Sequence, residues 1–359
     1  MEAGISLFLG TSPKKNEQVI EKAQRANVKY AFTSLQIPEE TVDDYEKAVK
    51  QLAYKCKEAG IGLIADISPE TLKKLSCTSI DEVRDWGITS VRLDYGYSAK
   101  ETADISKRFT VFLNASTVTE REILEWKKEG ADLSGFVACH NFYPKPYTGL
   151  SGEKVREINR WLKSFGLQTM GFVPGNGVLR GPLQEGLPTV EEHRFQKDDV
   201  LLHLLSLHYD LECDKAAVGD IDVSGRVWKE IGNLNAGVIE IGAEIEPAYQ
   251  YITDGIHHDR ADGSSYLFRS VESRKYKKKT LPENCVKREE GSICISNEKY
   301  MRYEGELEIA RQHLPADERV NVVGRVAQGD LKYLPYIRQE TGVRFIRNSV
   351  WQFSTNVIK

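Results

Sequence analysis

Short apolar runs recur through the first 235 residues, and between them apolar residues return every three or four positions. The runs begin near Ile5 (ISLFLG), Tyr30 (YAFTSLQI), Gly62 (GLIADIS), Ser90 (SVRLDYG), Thr110 (TVFLNAS), Leu133 (LSGFVACHN), Leu167 (LQTMGFVPG) and Ala216 (AAVGDI). Runs this short and continuous suit parallel strands covered on both faces. The intervening stretches read as amphipathic helices. Val42, Tyr45, Val49, Leu52, Ala53 and Cys56 share one helical face, with Thr41 as the expected cap and Gly60 as the stop. Ser68-Pro69 supplies a cap followed by proline at the first helical position, and Thr119 with Glu122 forms a capping box ahead of Gly130. Val155, Ile158, Leu162 and Phe165 line another face closed by Gly166. Strand and helix alternating in this way over about 235 residues predict an α/β fold, a (β/α)8 TIM barrel, whose usual length is about 250 residues.

After Asn235 the pattern changes. VIEIGAEI, SYLFRSV, SICIS, YEGELEIA and RVNVVGRV alternate polar and apolar residues, the mark of half-exposed antiparallel strands. A weak helix near Leu331–Thr341 is compromised by Pro335. The chain therefore divides into a barrel over 1–235 and a smaller β-rich domain over 236–359, with the boundary in Gly/Asn-rich sequence near Leu234–Val238.

Composition narrows the function classes. The net charge of −4 offers no bulk attraction to nucleic acid or to an anionic membrane, so an anionic ligand needs a local basic pocket. The six cysteines form no C-x-x-C pair, which argues against a zinc site. MEAGISLFLG lacks the parts of a signal peptide, and no apolar run is long enough to span a membrane. A cytoplasmic protein with reduced thiols is expected. His257-His258-Asp259 lacks a third ligand at usable spacing, so neither a metal nor a cofactor is expected. The basic run Arg274–Lys279 reads as a solvated hairpin loop. Nothing in the sequence reports the oligomeric state.

Barrel active sites gather at the C-terminal ends of the strands. Those ends offer Glu39, Asp66, Asp94 and Asp220 as carboxylates, with Asn114 after the fifth run. Several carboxylates round one mouth suit cleavage of a glycosidic bond, in which one group protonates the leaving oxygen and another stabilises or attacks the sugar carbon. The competing reading makes Asp66 a helix cap and pairs Asp94 with Arg92. The densest cluster follows the sixth run, ACHNFYPKPYTGLS, with His140, Asn141, Tyr143, Lys145 and Tyr147. His140 reads equally as a sugar ligand, an acid/base group or a buried structural histidine. The long loop after the seventh run carries Arg180, His193 and Arg194, a candidate anion site, unless the arginines pair with Glu185, Glu191 or Glu192.

GISLFLG, FTSLQIPEE, ADISP, VRLDYG, FLNAS, ACHNFYPKPYTGLS, GFVPGN with RGPLQEGLPTVEEHR, and VGDI together resemble a bacterial family of 6-phospho-N-acetylmuramidases, as do IHHDRADGSSYLFRS and GELEIARQHLPADERVNVVGRV in the second domain. The resemblance covers nearly the whole chain. It implies an N-terminal barrel, a C-terminal cyclophilin-like domain, and cytoplasmic hydrolysis of the β-1,4 bond of 6-phospho-MurNAc–GlcNAc in peptidoglycan recycling. Such a substrate carries a phosphate and a lactyl carboxylate, for which Lys145, Arg180, His193 and Arg194 are candidate ligands, while Tyr143 and Tyr147 offer faces for sugar stacking. Arg92, Asn114, His140 and Asn141 complete the expected binding set. Asp66 and Asp94 are the first choices for catalysis, then Asp220 and Glu39, with the substrate's 2-acetamido group as an alternative nucleophile. The competing readings are a phosphosugar isomerase or lyase on the same barrel, disfavoured by the lack of a strand-end lysine, and a carbohydrate sensor that binds without cleaving.

Overall fold

The computed structural model describes residues 2–35, 44–93 and 95–347. The chain divides into two compact units, Met1–Asn235 and Ala236–Lys359. In the first, the predicted apolar runs become β1 (Ala3–Ser6), β2 (Tyr30–Ser34), β3 (Gly62–Ile67), β4 (Ser90–Leu93), β5 (Thr110–Asn114), β6 (Phe136–Cys139), β7 (Gln168–Val173) and β8 (Lys215–Val218). They pair in parallel, each with the next, and β8 closes on β1. Closure explains why the runs are continuously apolar: one face meets the barrel interior and the other meets the helices.

Those helices are α1 (Pro13–Arg25), α2 (Tyr45–Glu58), α3 (Pro69–Lys74), α4 (Asp81–Asp85), α5 (Ala99–Ser106), α6 (Glu120–Lys128), α7 (Gly152–Ser164), α8 (Glu191–Arg194), α9 (Val200–Tyr209) and α10 (Gly225–Asn235). The expected caps form at Ser68 and Thr119, each as a reciprocal capping box. Thr41 and Val42 lie outside the described residues; the carboxylate of Asp44 caps α2 by accepting the Lys47 N–H at 3.0 Å.

The barrel is filled by side chains from alternate strand positions. Tyr30, Phe32, Ile64, Phe112, Val137, Cys139, Met170, Phe172 and Ala217 form one buried cluster. At its N-terminal end Tyr30 lies across Gly4, where an added Cβ would fall 2.2 Å from the ring, so only glycine fits. On β2, β3 and β6 the positions two residues past this cluster, Ser34, Asp66 and Asn141, line the C-terminal mouth.

In the second unit a six-stranded sheet runs β10–β12–β11–β13–β9–β14. The strands are β9 (Val238–Ile245), β10 (Leu267–Arg269), β11 (Ser292–Ser296), β12 (Leu307–Ala310), β13 (Val320–Val326) and β14 (Gly342–Arg347). β9 through β13 match the alternating segments, although SYLFRSV contributes only three residues. β14 is a strand the sequence reading passed over; it pairs in parallel with β9. The predicted weak helix is a 3-10 segment, Gln328–Tyr336, with Pro335 inside it. The ring nitrogens of His257 bond to Ser270 Oγ and the Ile252 carbonyl, each at 2.8 Å. Among the described residues no group of three or more His, Cys, Asp or Glu is placed to hold a metal.

Candidate active site

Strand alternation decides which mouth residues face the interior. Phe32 and Ile64 point inward, and so do Ser34 and Asp66 two residues on. Register then sets Ser34 opposite Asp66 and Asp66 opposite Arg92, so three polar side chains from β2, β3 and β4 meet in a row. Ser34 Oγ lies 3.2 Å from Asp66 Oδ2, and Arg92 Nη1 donates to the same oxygen at 3.2 Å. Arg92 Nη2 crosses the mouth to Asn141 Oδ1 at 2.8 Å. Both members of the Asp66–Arg92 pair are buried. A buried ion pair is weak evidence for stability, because desolvation offsets much of its attraction. Its place at the mouth of a barrel points instead to a working site.

These groups line a cavity of about 280 Å³. The same cavity has an aromatic lining: Phe32, Phe142 and Phe172 pack edge to face, with ring centroids 5.2–6.2 Å apart. An aromatic wall together with a carboxylate, a guanidinium and an amide suits a pyranose, whose C–H face is apolar and whose rim carries hydroxyls. A larger hollow of about 360 Å³ between α1 and α2 is mainly apolar; Glu17 and Lys55 at its edge neutralise each other at 2.8 Å.

The structure brings Asp66, Arg92, Asn141 and Tyr143 together at the cavity, with His140 also on its lining; Asn114, Lys145, Tyr147, Arg180, His193, Arg194 and Asp220 do not line it. Glu39 and Asp94 lie outside the described residues. Asn114 caps the turn after β5 by accepting the Ser116 N–H at 3.0 Å. Lys145 and Tyr147 are exposed on the loop after β6. Arg180 places its guanidinium 4.8 Å from the Phe8 ring and donates its backbone N–H to Asp220.

Four expectations are revised. His140 sits between two inward-facing residues, so its side chain points outward to α7, where Nε2 meets Asn159 Oδ1 at 2.8 Å. The Asn159 amide donates to the Leu211 carbonyl and Cys213 Sγ, which leaves its oxygen toward the imidazole. Burial holds the His140 pKa below the ordinary histidine value. This is the structural reading of His140. Asp220 is buried and accepts three backbone N–H groups, from Gly175 (2.8 Å), Arg180 (2.9 Å) and Leu187 (3.1 Å). It ties together the loop after β7 and is not among the residues lining the cavity. Burial pushes its carboxyl above the usual range, against the pull of those bonds. His193 stacks on His203 at 4.2 Å, and burial lowers its pKa to about 3. Arg194, 2 % exposed, is spent on Glu191 and on the carbonyls of Tyr143, Glu185 and Gly186, so the pairing alternative holds.

That arginine belongs to a brace the sequence reading missed. Glu191 accepts the N–H groups of Tyr147 and Gly149, each at 2.7 Å, while gripping Arg194 at 2.6 Å. The Arg194 guanidinium beside it lowers the Glu191 pKa to about 2. Thr189 ties β7 to the same loop: Phe172 N–H donates to its hydroxyl, and that hydroxyl donates to the Asn141 carbonyl, both at 2.9 Å. Ser34 and the three phenylalanines were also missed. Ser34 is a polar residue at the end of its strand, as Asp66 is one residue from the end of the next, which was a usable signal.

Among solved structures, a conserved protein of unknown function from Enterococcus faecalis is 33 % identical, with 97 % of each chain covered and a TM-score of 0.73. An uncharacterized B. cereus protein shares the fold at 23 % identity, covering 96 % of this chain and 99 % of its own, with a TM-score of 0.70. No curated protein matches the chain. The N-terminal model of the 6-phospho-N-acetylmuramidases matches residues 3–233 and the C-terminal model matches residues 238–346. With both models matched across the barrel and the β-rich unit, the chain belongs to the 6-phospho-N-acetylmuramidase family.

Proposed function

We propose that the barrel is a glycosidase that hydrolyses the β-1,4 bond of 6-phospho-MurNAc–GlcNAc, in cytoplasmic recycling of peptidoglycan. The observation that carries this reading is Asp66, held between Ser34 and Arg92 and lining one sugar-sized cavity together with three phenylalanines. In the reaction the C1–O bond breaks, the leaving oxygen gains a proton, and the hydroxide part of water adds to C1. An aspartate salt-bridged to an arginine is an acceptor. Asp66 is therefore assigned to the sugar carbon, which it stabilises or attacks, or to the 2-acetamido group, which it orients. The proton donor is assigned to Asp94, with Glu39 as the alternative, on their strand-end positions in the sequence. Asn141 and Arg92 bind sugar oxygens, and the phenylalanine wall takes the C–H face. Arg180 and Lys145 are proposed as ligands of the phosphate or the lactyl carboxylate. The C-terminal cyclophilin-like unit is assigned no chemistry in this reaction, since a fold does not license one.

The test is release of GlcNAc from the phosphorylated disaccharide. Asp66→Asn should lower kcat by roughly 10²–10⁴-fold, the range for loss of one carboxylate function, with substrate still bound. Release that survives Asp66→Asn unchanged overturns the assignment. Binding without release by the parent protein identifies a sensor.

A further inference from the structure

The second unit gathers positive charge of its own. On β10, β11 and β12 the residues Arg269, Cys294 and Glu308 lie opposite one another, and alternation puts Glu306 on the same face. That face is polar and buried. Glu306 is 1 % exposed, and Glu308 and Arg288 are also buried. Burial, with Glu306 alongside, pushes the Glu308 carboxyl up to about 7. Ionic groups buried this deeply contribute little net stability, so the arrangement calls for another reason.

Glu306 grips two guanidinium groups, Arg269 Nη2 at 2.7 Å and Arg274 Nη2 at 2.5 Å. Arg274 belongs to the basic run read from the sequence as a solvated loop, and here it turns back onto the sheet. Arg269, Arg274 and Arg302 converge on the ring of Tyr303, with guanidinium carbons 5.9, 5.0 and 4.8 Å from its centroid. Arg302 also donates to Tyr303 Oη at 2.8 Å and pairs with no carboxylate among the described residues. Three like charges round one ring repel one another; Glu306 supplies one countercharge, while Glu308 and Asp262, which also interact with Arg269, are paired with Arg288 and Arg260. The deficit of about two negative charges is that of a phosphate monoester near neutral pH. Each guanidinium has five N–H donors and uses few of them here, and its planar fork matches phosphate oxygens. Because Glu306 is buried and bonded to two of the three arginines, the forks are set before a ligand arrives, which lowers the ordering cost of binding.

We propose that Arg269, Arg274 and Arg302, gathered on Tyr303 and braced by Glu306, form a binding site for a phosphate monoester on the second unit. The site does not depend on the chemistry assigned to the barrel. Calorimetric titration of the full chain at low ionic strength tests it, with inorganic phosphate and glucosamine 6-phosphate as probes. Saturable binding should weaken about tenfold or more in Arg302→Ala, equivalent to about 1.4 kcal/mol, and should weaken further with added salt. Arg302 is exposed, so this variant should unfold at the parent temperature; Arg274→Ala, which loosens Glu306, is the second probe. Arg180→Ala, at the phosphate ligand proposed for the barrel, should leave this binding unchanged. Tighter binding of glucosamine 6-phosphate identifies a sugar phosphate as the ligand, and equal binding identifies the phosphate group alone. The proposal is overturned if neither probe saturates below about 10 mM, if Arg302→Ala binds like the parent, or if Arg180→Ala abolishes the signal.

Discussion

Glu191 fixes the rim of the barrel without lining the cavity. Its carboxylate holds the backbone of Tyr147, which sits at φ +66° and leaves its ring 82 % exposed beside Phe195. It also neutralises a buried arginine whose other donors hold Tyr143 and the loop after β7. Its folded pKa of about 2 lies below the ordinary 4.5, so its contribution is complete above about pH 4.5 and is lost as pH falls through about 2. Glu191→Gln should cost about 3 kcal/mol at neutral pH. Acid titration of stability, followed by denaturant unfolding, should show a parent component between pH 4.5 and 2 that the variant lacks. Matching pH profiles would show that the brace carries little energy. At this scale the sequence was a partial guide. Asp66 and Asn141 were legible as strand-end polar groups. His140 was not, because one residue of phase decides whether a side chain meets ligand or helix, and composition is blind to phase. Arg194 looked like a ligand because sequence shows a guanidinium's charge without its partners.

Among the elements, the barrel staves were legible because each is a short apolar run framed by capped helices, a local signal in every unit. β14 was not, because GVRFIR is short and carries two arginines, and its partner Val238–Ile245 lies about a hundred residues earlier. Strands made by such distant pairing reveal little in their own neighbourhood. The N-terminal floor of the barrel supplies the prediction at this scale. Gly4 leaves room for the Tyr30 ring, whose hydroxyl donates to the Ala216 carbonyl at 2.8 Å and so links β2 to β8. Gly4→Val should destabilise by about 1–3 kcal/mol through overpacking. Tyr30→Leu in the same chain should recover part of that loss, and thermal unfolding of the two single variants and the double variant measures the coupling. Strictly additive effects would place the strain elsewhere.

At the scale of the whole molecule, the division at Asn235 follows the change from continuous to alternating apolar runs, and each unit builds its own hydrogen-bonded sheet, closed in the first and open in the second. A chain of residues 1–235 should therefore fold alone, with cooperative thermal unfolding followed by circular dichroism. A non-cooperative or aggregated product would show that the barrel needs the second unit to be stable. The helices contain no span long and apolar enough to cross a membrane among the described residues. The inward–outward rhythm of β6 sets a limit on how such a chain can diverge. Past Tyr143 the rim can gain or lose residues at little cost to the cavity. A single-codon insertion or deletion between Phe136 and His140 would rotate the tail of that stave by half a turn, swing the amide away from Arg92 and drive an imidazole into the cavity. Divergence in length should accordingly collect in the loops, while the staves keep their reading frame.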